Sequence, residues 1–277
     1  MHLYWQDPNS ALRLRMYRTD IPTTEPADPS VWEDPYQVQD RYSGKLGSAL
    51  GAYGRQCEAC TQLNFFFWQG TEGAIHGAWR TLGATDGWGD ITFTKDTEKP
   101  ISNSSLAVAH APADDGTQSI DLFYQSSAGA LNHIIFDGEG SYQTETLPRD
   151  GLGAHASIVA FSTGSNETDT DNPNPLGFQV LTVDRDDDDA AAATGVHLTY
   201  FKDGSWTAGD DVTALADCTA HGMLAANHGQ RIYCLVGADE SNLSIVEWKW
   251  AANPTGNLAD YNQYDRVGGI GVPNPGA

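Results

Sequence analysis

The chain has 277 residues, a length that fits two ordinary domains or one large all-β domain. Its 15 Lys plus Arg stand against 37 Asp plus Glu, a formal net charge of -22; this repels phosphate backbones and anionic lipid and argues against nucleic acid and membrane partners. No apolar run approaches the roughly 20 residues of a membrane span, and the opening MHLYWQDPNS is not a signal peptide, so a secretory reading places a signal upstream, already removed.

In chain order, the first element is a hairpin of alternating apolar and polar residues, HLYWQDPNSALRLRMY from His2. A short strand of small residues follows, SALGAY from Ser48, and then Cys57-Glu-Ala-Cys60. This spacing reads as a local disulfide; redox chemistry or half a zinc site are the alternatives, but no second CxxC or nearby His cluster completes a metal site. The hairpin pattern recurs as NFFFWQGTEGAIHGAW from Asn64, trailed by an outer strand in DGWGDITFT from Asp86. After a glycosylation sequon at Asn103 comes a second small-residue strand, SLAVAH from Ser105, and a third hairpin, DLFYQSSAGALNHIIF from Asp121.

The third small-residue strand is SIVAFS from Ser157, with a second sequon at Asn166. The fourth hairpin, FQVLTVDRDDDDAAAATGVHLTYF from Phe178, carries an enlarged turn, and GSWTAGDDVT from Gly204 is its outer strand. The acidic run Asp184 to Asp189 invites a calcium ion, but without an internal Gly and with an Ala-rich continuation it reads as a solvated loop, and no metal is expected. Cys218 pairs by proximity with Cys234; between them lies MLAANH from Met223, and RIYCLVGADESNLSIVEW from Arg231 is the fifth hairpin, with a sequon at Asn242. GGIGVPNPGA from Gly268 is taken as a fifth small-residue strand.

The period of roughly 55 residues, four strands per unit and no helical periodicity predict a five-bladed β-propeller with four antiparallel strands per blade. It occupies residues 1–277 as one domain, with approximate blades 1–60, 61–118, 119–175, 176–229 and 230–277. No blade is split between the termini, so ring closure is expected to rest on packing. Small residues suit the inner strands, where bulky side chains would collide.

The repeat of an aromatic strand, a Gln, a Gly turn, a second strand and a small-residue strand opening on Ser resembles the fungal fucose-specific lectins over nearly the whole chain. The resemblance implies a fork in each blade: an Arg at the start of the aromatic strand and a Glu in the next strand gripping sugar oxygens, with a Trp or Tyr of the neighbouring blade stacked on the ring. Here the Arg position holds His2, Phe65 and Asp121 and the Glu position Leu14, Gly77 and His133, and the fourth hairpin offers no such pair. Only Arg231 with Glu247 could form a fork.

A lectin frame without its forks suggests reuse. The hetero-Diels–Alderases of fungal tropolone sesquiterpenoid biosynthesis are similar in fold, size and absence of lectin residues. Such a resemblance implies a cofactor-free pericyclase that joins apolar small molecules in natural-product biosynthesis. That reaction needs oriented apolar partners and a neutral donor; Trp5, Trp68 and Tyr124 are the stacking candidates, and His76, His133 and His2 the donors. His76 and His133 are read as lying in related turns of successive blades. Core packing for the aromatics and solvated or backbone-bonded roles for the histidines are the plain alternatives.

Three functional classes stay open beside the catalyst: a secreted fucose-type lectin, a glycosidase with Asp121 as its clearest axial carboxylate, and an interaction module. A homodimer is compatible with all of them. There is no GxxxxGK, GxSxG or HExxH pattern to support other enzyme chemistry. The sequons, the even cysteine count and the acidic surface favour the secretory route.

Overall fold

The computed structural model describes residues 2–16, 32–54, 62–81, 87–93, 98–112, 118–163, 177–184, 195–219, 222–227, 229–237, 243–251 and 262–272. The chain divides into two compact units, Met1–Asn103 and Ser104–Ala277. Every named strand pairs antiparallel with its neighbour in sequence within its sheet. The first unit holds a sheet of β1 (His2–Gln6), β2 (Leu12–Met16) and β3 (Tyr36–Gln37), and a second of β4 (Leu50–Tyr53), β5 (Gln62–Gln69), β6 (Ile75–Thr81) and β7 (Trp88–Phe93).

The second unit holds three four-stranded sheets. The third sheet of the chain is β8 (Leu106–Pro112), β9 (Gln118–Gln125), β10 (Leu131–Phe136) and β11 (Tyr142–Thr146). The fourth is β12 (Ser157–Ser162), β13 (Phe178–Val183), β14 (Val196–Lys202) and β15 (Ser205–Asp211). The fifth is β16 (Leu224–Asn227), β17 (Arg231–Val236), β18 (Ser244–Trp250) and β19 (Tyr264–Gly271).

These sheets shift the frame of the repeat. In sheets two to five the small-residue strand comes first and pairs with the aromatic strand after it, as in Ala107 opposite Phe123 and Val159 opposite Leu181. Each unit thus opens on the small-residue strand, and the strand groups run 50–93, 106–146, 157–211 and 224–271. The approximate blade boundaries, which opened each later unit on its hairpin, are corrected accordingly. Periodicity alone measures the length of a repeat; only hydrogen bonding says where it begins. GGIGVPNPGA is corrected too: Gly268 to Gly271 end β19, the outermost strand of the fifth sheet. Among the described residues, a 3-10 segment, Thr213–Thr219, interrupts the strands and carries Cys218 to a disulfide with Cys234.

One polar device repeats at the end of the first three aromatic strands. The Gln125 side chain donates from Nε2 to the carbonyls of Leu152 (3.0 Å) and Gly153 (2.8 Å), while its Oε1 accepts from the Ala156 amide (3.2 Å). Gln69 does the same with Ile101 and Asn103, and Gln6 with Lys45 and Gly47. The Gln of the repeat is therefore a latch that satisfies the loop before the next small-residue strand.

The cores lie between successive sheets within a unit. Leu12, Leu14, Phe66, Trp68 and Trp88 pack together in the first unit. In the second, Phe123, Ile158 and Phe178 join the third sheet to the fourth, and Leu198, Ile232, Trp248 and Trp250 join the fourth to the fifth. Aromatic and branched residues on the buried faces supply most of the burial free energy.

Candidate functional site

Strand register defines one equivalent pair of positions in every sheet. The second member is the residue opposite the middle of the aromatic strand: Leu14 opposite Tyr4, Gly77 opposite Phe67, His133 opposite Phe123, Leu198 opposite Leu181 and Glu247 opposite Tyr233. The first member lies two residues earlier on the aromatic strand, hence on the same face: His2, Phe65, Asp121, Gln179 and Arg231. These pairs include the fork positions read from the sequence.

In the first unit the positions are apolar where their side chains are described. Leu14 is buried in the same core cluster as Trp88, and the side chain of His2 lies outside the described residues. Phe65 and Phe67 fill the second sheet's place: a Cβ at Gly77 would meet the Phe67 ring at 2.8 Å, so only Gly leaves it room.

The third sheet carries a charged cluster. His133 is 2% exposed, and its Nε2 lies 2.8 Å from Asp121 Oδ1 and its Nδ1 2.8 Å from Glu145 Oε1. Both ring nitrogens face carboxylate oxygens, an arrangement that suits the imidazolium, which donates from both. Burial opposes the charge, but the two carboxylates outweigh it and hold the His133 pKa above the ordinary histidine value. The His133 bond holds Glu145 below its ordinary value, aided by the Trp206 indole, which donates to Glu145 Oε1 at 2.7 Å. Phe123 stacks on the imidazole at 4.5 Å, and Trp206, from the fourth sheet, meets it edge-on at 5.4 Å. Ser119 Oγ donates to the other oxygen of Asp121.

Asp121 and His133 therefore satisfy each other. The pair is closed by its own residues and capped by Trp206. The fourth sheet repeats the closure without charge: Tyr264, from the fifth, donates its buried hydroxyl to Gln179 Oε1. Trp206 and Tyr264 hold the same place at the start of the outermost strand, opposite Phe201 and Trp250. Sequence reasoning passed over Trp206, Tyr264 and Glu145 as functional residues; the signal was the aromatic that begins each outer strand, already visible in DGWGDITFT and GSWTAGDDVT.

The fifth sheet alone has an Arg and a carboxylate at these positions. Arg231 Nη1 is ion-paired with Glu247 Oε1, and the side chains are 38% and 28% exposed. On the opposite face of the sheet, the Cys218–Cys234 disulfide and Trp248 anchor β17 and β18 in the core.

The other candidates fall elsewhere. Trp68 and Tyr124 are almost wholly buried, and the Trp68 indole donates to the Ser43 carbonyl, so both belong to the interior and not to an open wall. Trp5 is half-buried on β1. His76 lies on β6 opposite Trp68 and His133 on β10 opposite Phe123, so both stand on strands and not in turns, and a one-residue offset in register turns them to opposite faces of their sheets. His76 is bound to Glu72 and Thr92. Asn103 is exposed on its loop, whereas Asn166, Asn242, Cys57 and Cys60 lie outside the described residues, as does the acidic run after Asp184. Among the described residues no group of three or more His, Cys, Asp or Glu is arranged to hold a metal ion, and no helix is long and apolar enough to cross a membrane.

Comparison with solved structures defines the class of fold: it is similar to that of the fucose-lectin β-propellers. The fucose-specific lectin from Aleuria aurantia matches at 14% identity over 99% of this chain and 79% of its own, with a TM-score of 0.61. SapL1 lectin, solved with alpha methyl fucoside, matches at 15% identity over 97% of this chain and 75% of its own (TM-score 0.63). A triple arginine-to-alanine mutant of AofleA from Arthrobotrys oligospora matches at 13% identity over 98% and 70%, with a TM-score of 0.62. No protein-family profile matches the sequence, and no curated protein does either.

Proposed function

We propose that this protein is a secreted carbohydrate-binding propeller with a single sugar fork, Arg231 with Glu247, in place of a ring of equivalent sites. One observation carries the reading: among the five equivalent positions only Arg231 and Glu247 pair an arginine with a carboxylate, and both remain partly exposed. A guanidinium steadied by a carboxylate presents its remaining N–H groups to vicinal hydroxyls, and the carboxylate accepts from them. The fucosides held by the similar lectins make a fucose-type sugar the first ligand to try. The Cys218–Cys234 disulfide and the exposed sequon at Asn103 support the secretory route.

The cycloaddition reading asks for open aromatic walls and a free neutral donor. Trp68 and Tyr124 are buried, and His133 spends both nitrogens on carboxylates, which weighs against these residues in that role. Nor does Asp121 favour a glycosidase, since its oxygens are taken by His133 and Ser119.

The test is a glycan array on wild type, Arg231→Ala and Glu247→Gln, beside a thermal-shift screen of terpenoid and aromatic compounds. The expected result is a saccharide signal that falls roughly tenfold or more in both variants, the scale of losing a charged hydrogen bond. A silent array with stabilisation by an apolar compound would overturn the lectin reading and favour the catalyst.

A further inference from the structure

A hydrogen bond from Trp206 to Glu145 ties the outermost strands of two sheets of the second unit. Glu145 stands on β11, at the edge of the third sheet, and Trp206 on β15, at the edge of the fourth and 61 residues further along; the indole N–H donates to Glu145 Oε1 at 2.7 Å. The same oxygen lies 2.8 Å from His133 Nδ1. One carboxylate oxygen therefore serves two donors, and one of them, the imidazole, loses its proton on titration.

As the imidazolium, His133 donates from Nε2 to Asp121 and from Nδ1 to Glu145. A neutral imidazole has a single N–H, so it keeps one of these bonds and turns a lone pair toward the other carboxylate. Burial decides which bond is kept. The Asp121 side chain is 3% exposed and its second oxygen takes the Ser119 hydroxyl, whereas the Glu145 side chain is 43% exposed. Stripping Asp121 of its partner would leave a buried, uncompensated charge; a freed Glu145 is solvated by water. From the fourth sheet the ring meets Phe178 and Trp206, which carry no charge, and the charged groups that act on it are Asp121 and Glu145.

We infer that Asp121, His133, Glu145 and Trp206 form a pH-operated clasp between the third and fourth sheets: the imidazolium pins Glu145 where it holds the Trp206 indole, and the neutral imidazole repels that carboxylate, which turns to solvent and releases the indole. Acid closes the clasp and alkali opens it. Because both carboxylates favour the charged ring, opening falls above the ordinary histidine range. The Trp206 ring stays seated against Phe178 and Phe201, with centroids at 6.1 and 5.2 Å, so the change is confined to the tie at the outer strands and the sheets remain packed.

The experiment is an NMR titration of the full chain, isotope-labelled at histidine and tryptophan, between about pH 5 and 10. It follows the ring signal of His133 and the indole N–H signal of Trp206 in wild type and in Glu145→Gln. Trp206→Phe assigns both, since it removes the indole signal and displaces that of the histidine beneath it while keeping an aromatic ring in place. In wild type the Trp206 N–H signal should move with the same midpoint as the His133 ring, in the direction of a lost bond to a carboxylate. In Glu145→Gln, where the side chain is half exposed and the fold is kept, the His133 midpoint should fall by about 1 pH unit and the Trp206 signal should no longer follow it. A Trp206 signal that stays fixed while His133 titrates overturns the clasp, and so does one that follows His133 equally well in Glu145→Gln. A His133 ring that keeps its proton across the whole range overturns it too, because pH would then operate nothing.

Discussion

Asp121 and His133 show how two neighbouring residues can satisfy each other and leave nothing for a ligand. With a carboxylate at the place of the fork's arginine and an imidazole at the place of its glutamate, the charges order themselves inward and no valence is left for a ligand. Replacing His133 with Phe leaves Asp121 buried without its counter-ion and should cost about 3 kcal/mol, measured by urea unfolding. The pH dependence follows from the shifts. The folded pKa of His133 is raised, so its stabilisation is complete below the ordinary value of 6.5 and is lost as pH rises through the higher folded value. That of Glu145 is lowered, so its share is complete above 4.5 and is lost as pH falls through the lower folded value. The stability difference between wild type and His133→Phe should therefore be largest between about pH 4.5 and 6.5 and shrink on either side. A difference that is flat with pH would mean that the cluster is not ionised as described.

At the scale of elements, the fold is held by repeated joints that the side chains of the repeat supply. Gln125 is the best buried of the three latches, and its three hydrogen bonds tie the end of β9 to the loop that leads into β12. Gln125→Ala should destabilise the protein by about 2 kcal/mol, because the Ala156 amide and two carbonyls lose buried partners. Gln6→Ala, on the more exposed end of β1, should cost distinctly less. Comparing the two urea midpoints checks that burial, and not the glutamine as such, sets the value of the latch. The outer strands form the other joint: Trp206 and Tyr264 each reach the preceding sheet, Trp206 against the His133 ring and Tyr264 through a hydrogen bond to Gln179.

For the molecule as a whole, the charge of -22 is the dominant long-range term. Like charges at this density favour expansion of the chain, and salt screens them. Raising sodium chloride from 0.1 to 1 M shortens the screening length from about 10 to about 3 Å. The melting midpoint should then rise by at least about 2 °C, roughly 1 kcal/mol for a chain of this size. A midpoint that falls would show that local ion pairs such as Arg231–Glu247 outweigh the overall repulsion. A neutral or partly apolar ligand is also the kind that such a surface does not repel.

The sequence by itself determined the all-β class, the number of repeats and the identity of the small-residue and aromatic strands, because period-two alternation and turn residues are local properties that a strand writes into its own sequence. It also singled out Arg231 with Glu247 and the Cys218–Cys234 bond, since each depends on residue type at a recognisable place in the repeat. Tertiary structure decided the rest. Where each sheet begins depends on which neighbour a strand bonds to, and this moved GGIG from an inner strand to the outer edge. Whether Trp68 and Tyr124 line a site or fill a core depends on what packs against them. That His133 is bound on both sides could not be read from its hairpin, because Trp206 arrives from 73 residues away in sequence and meets it only when the sheets pack.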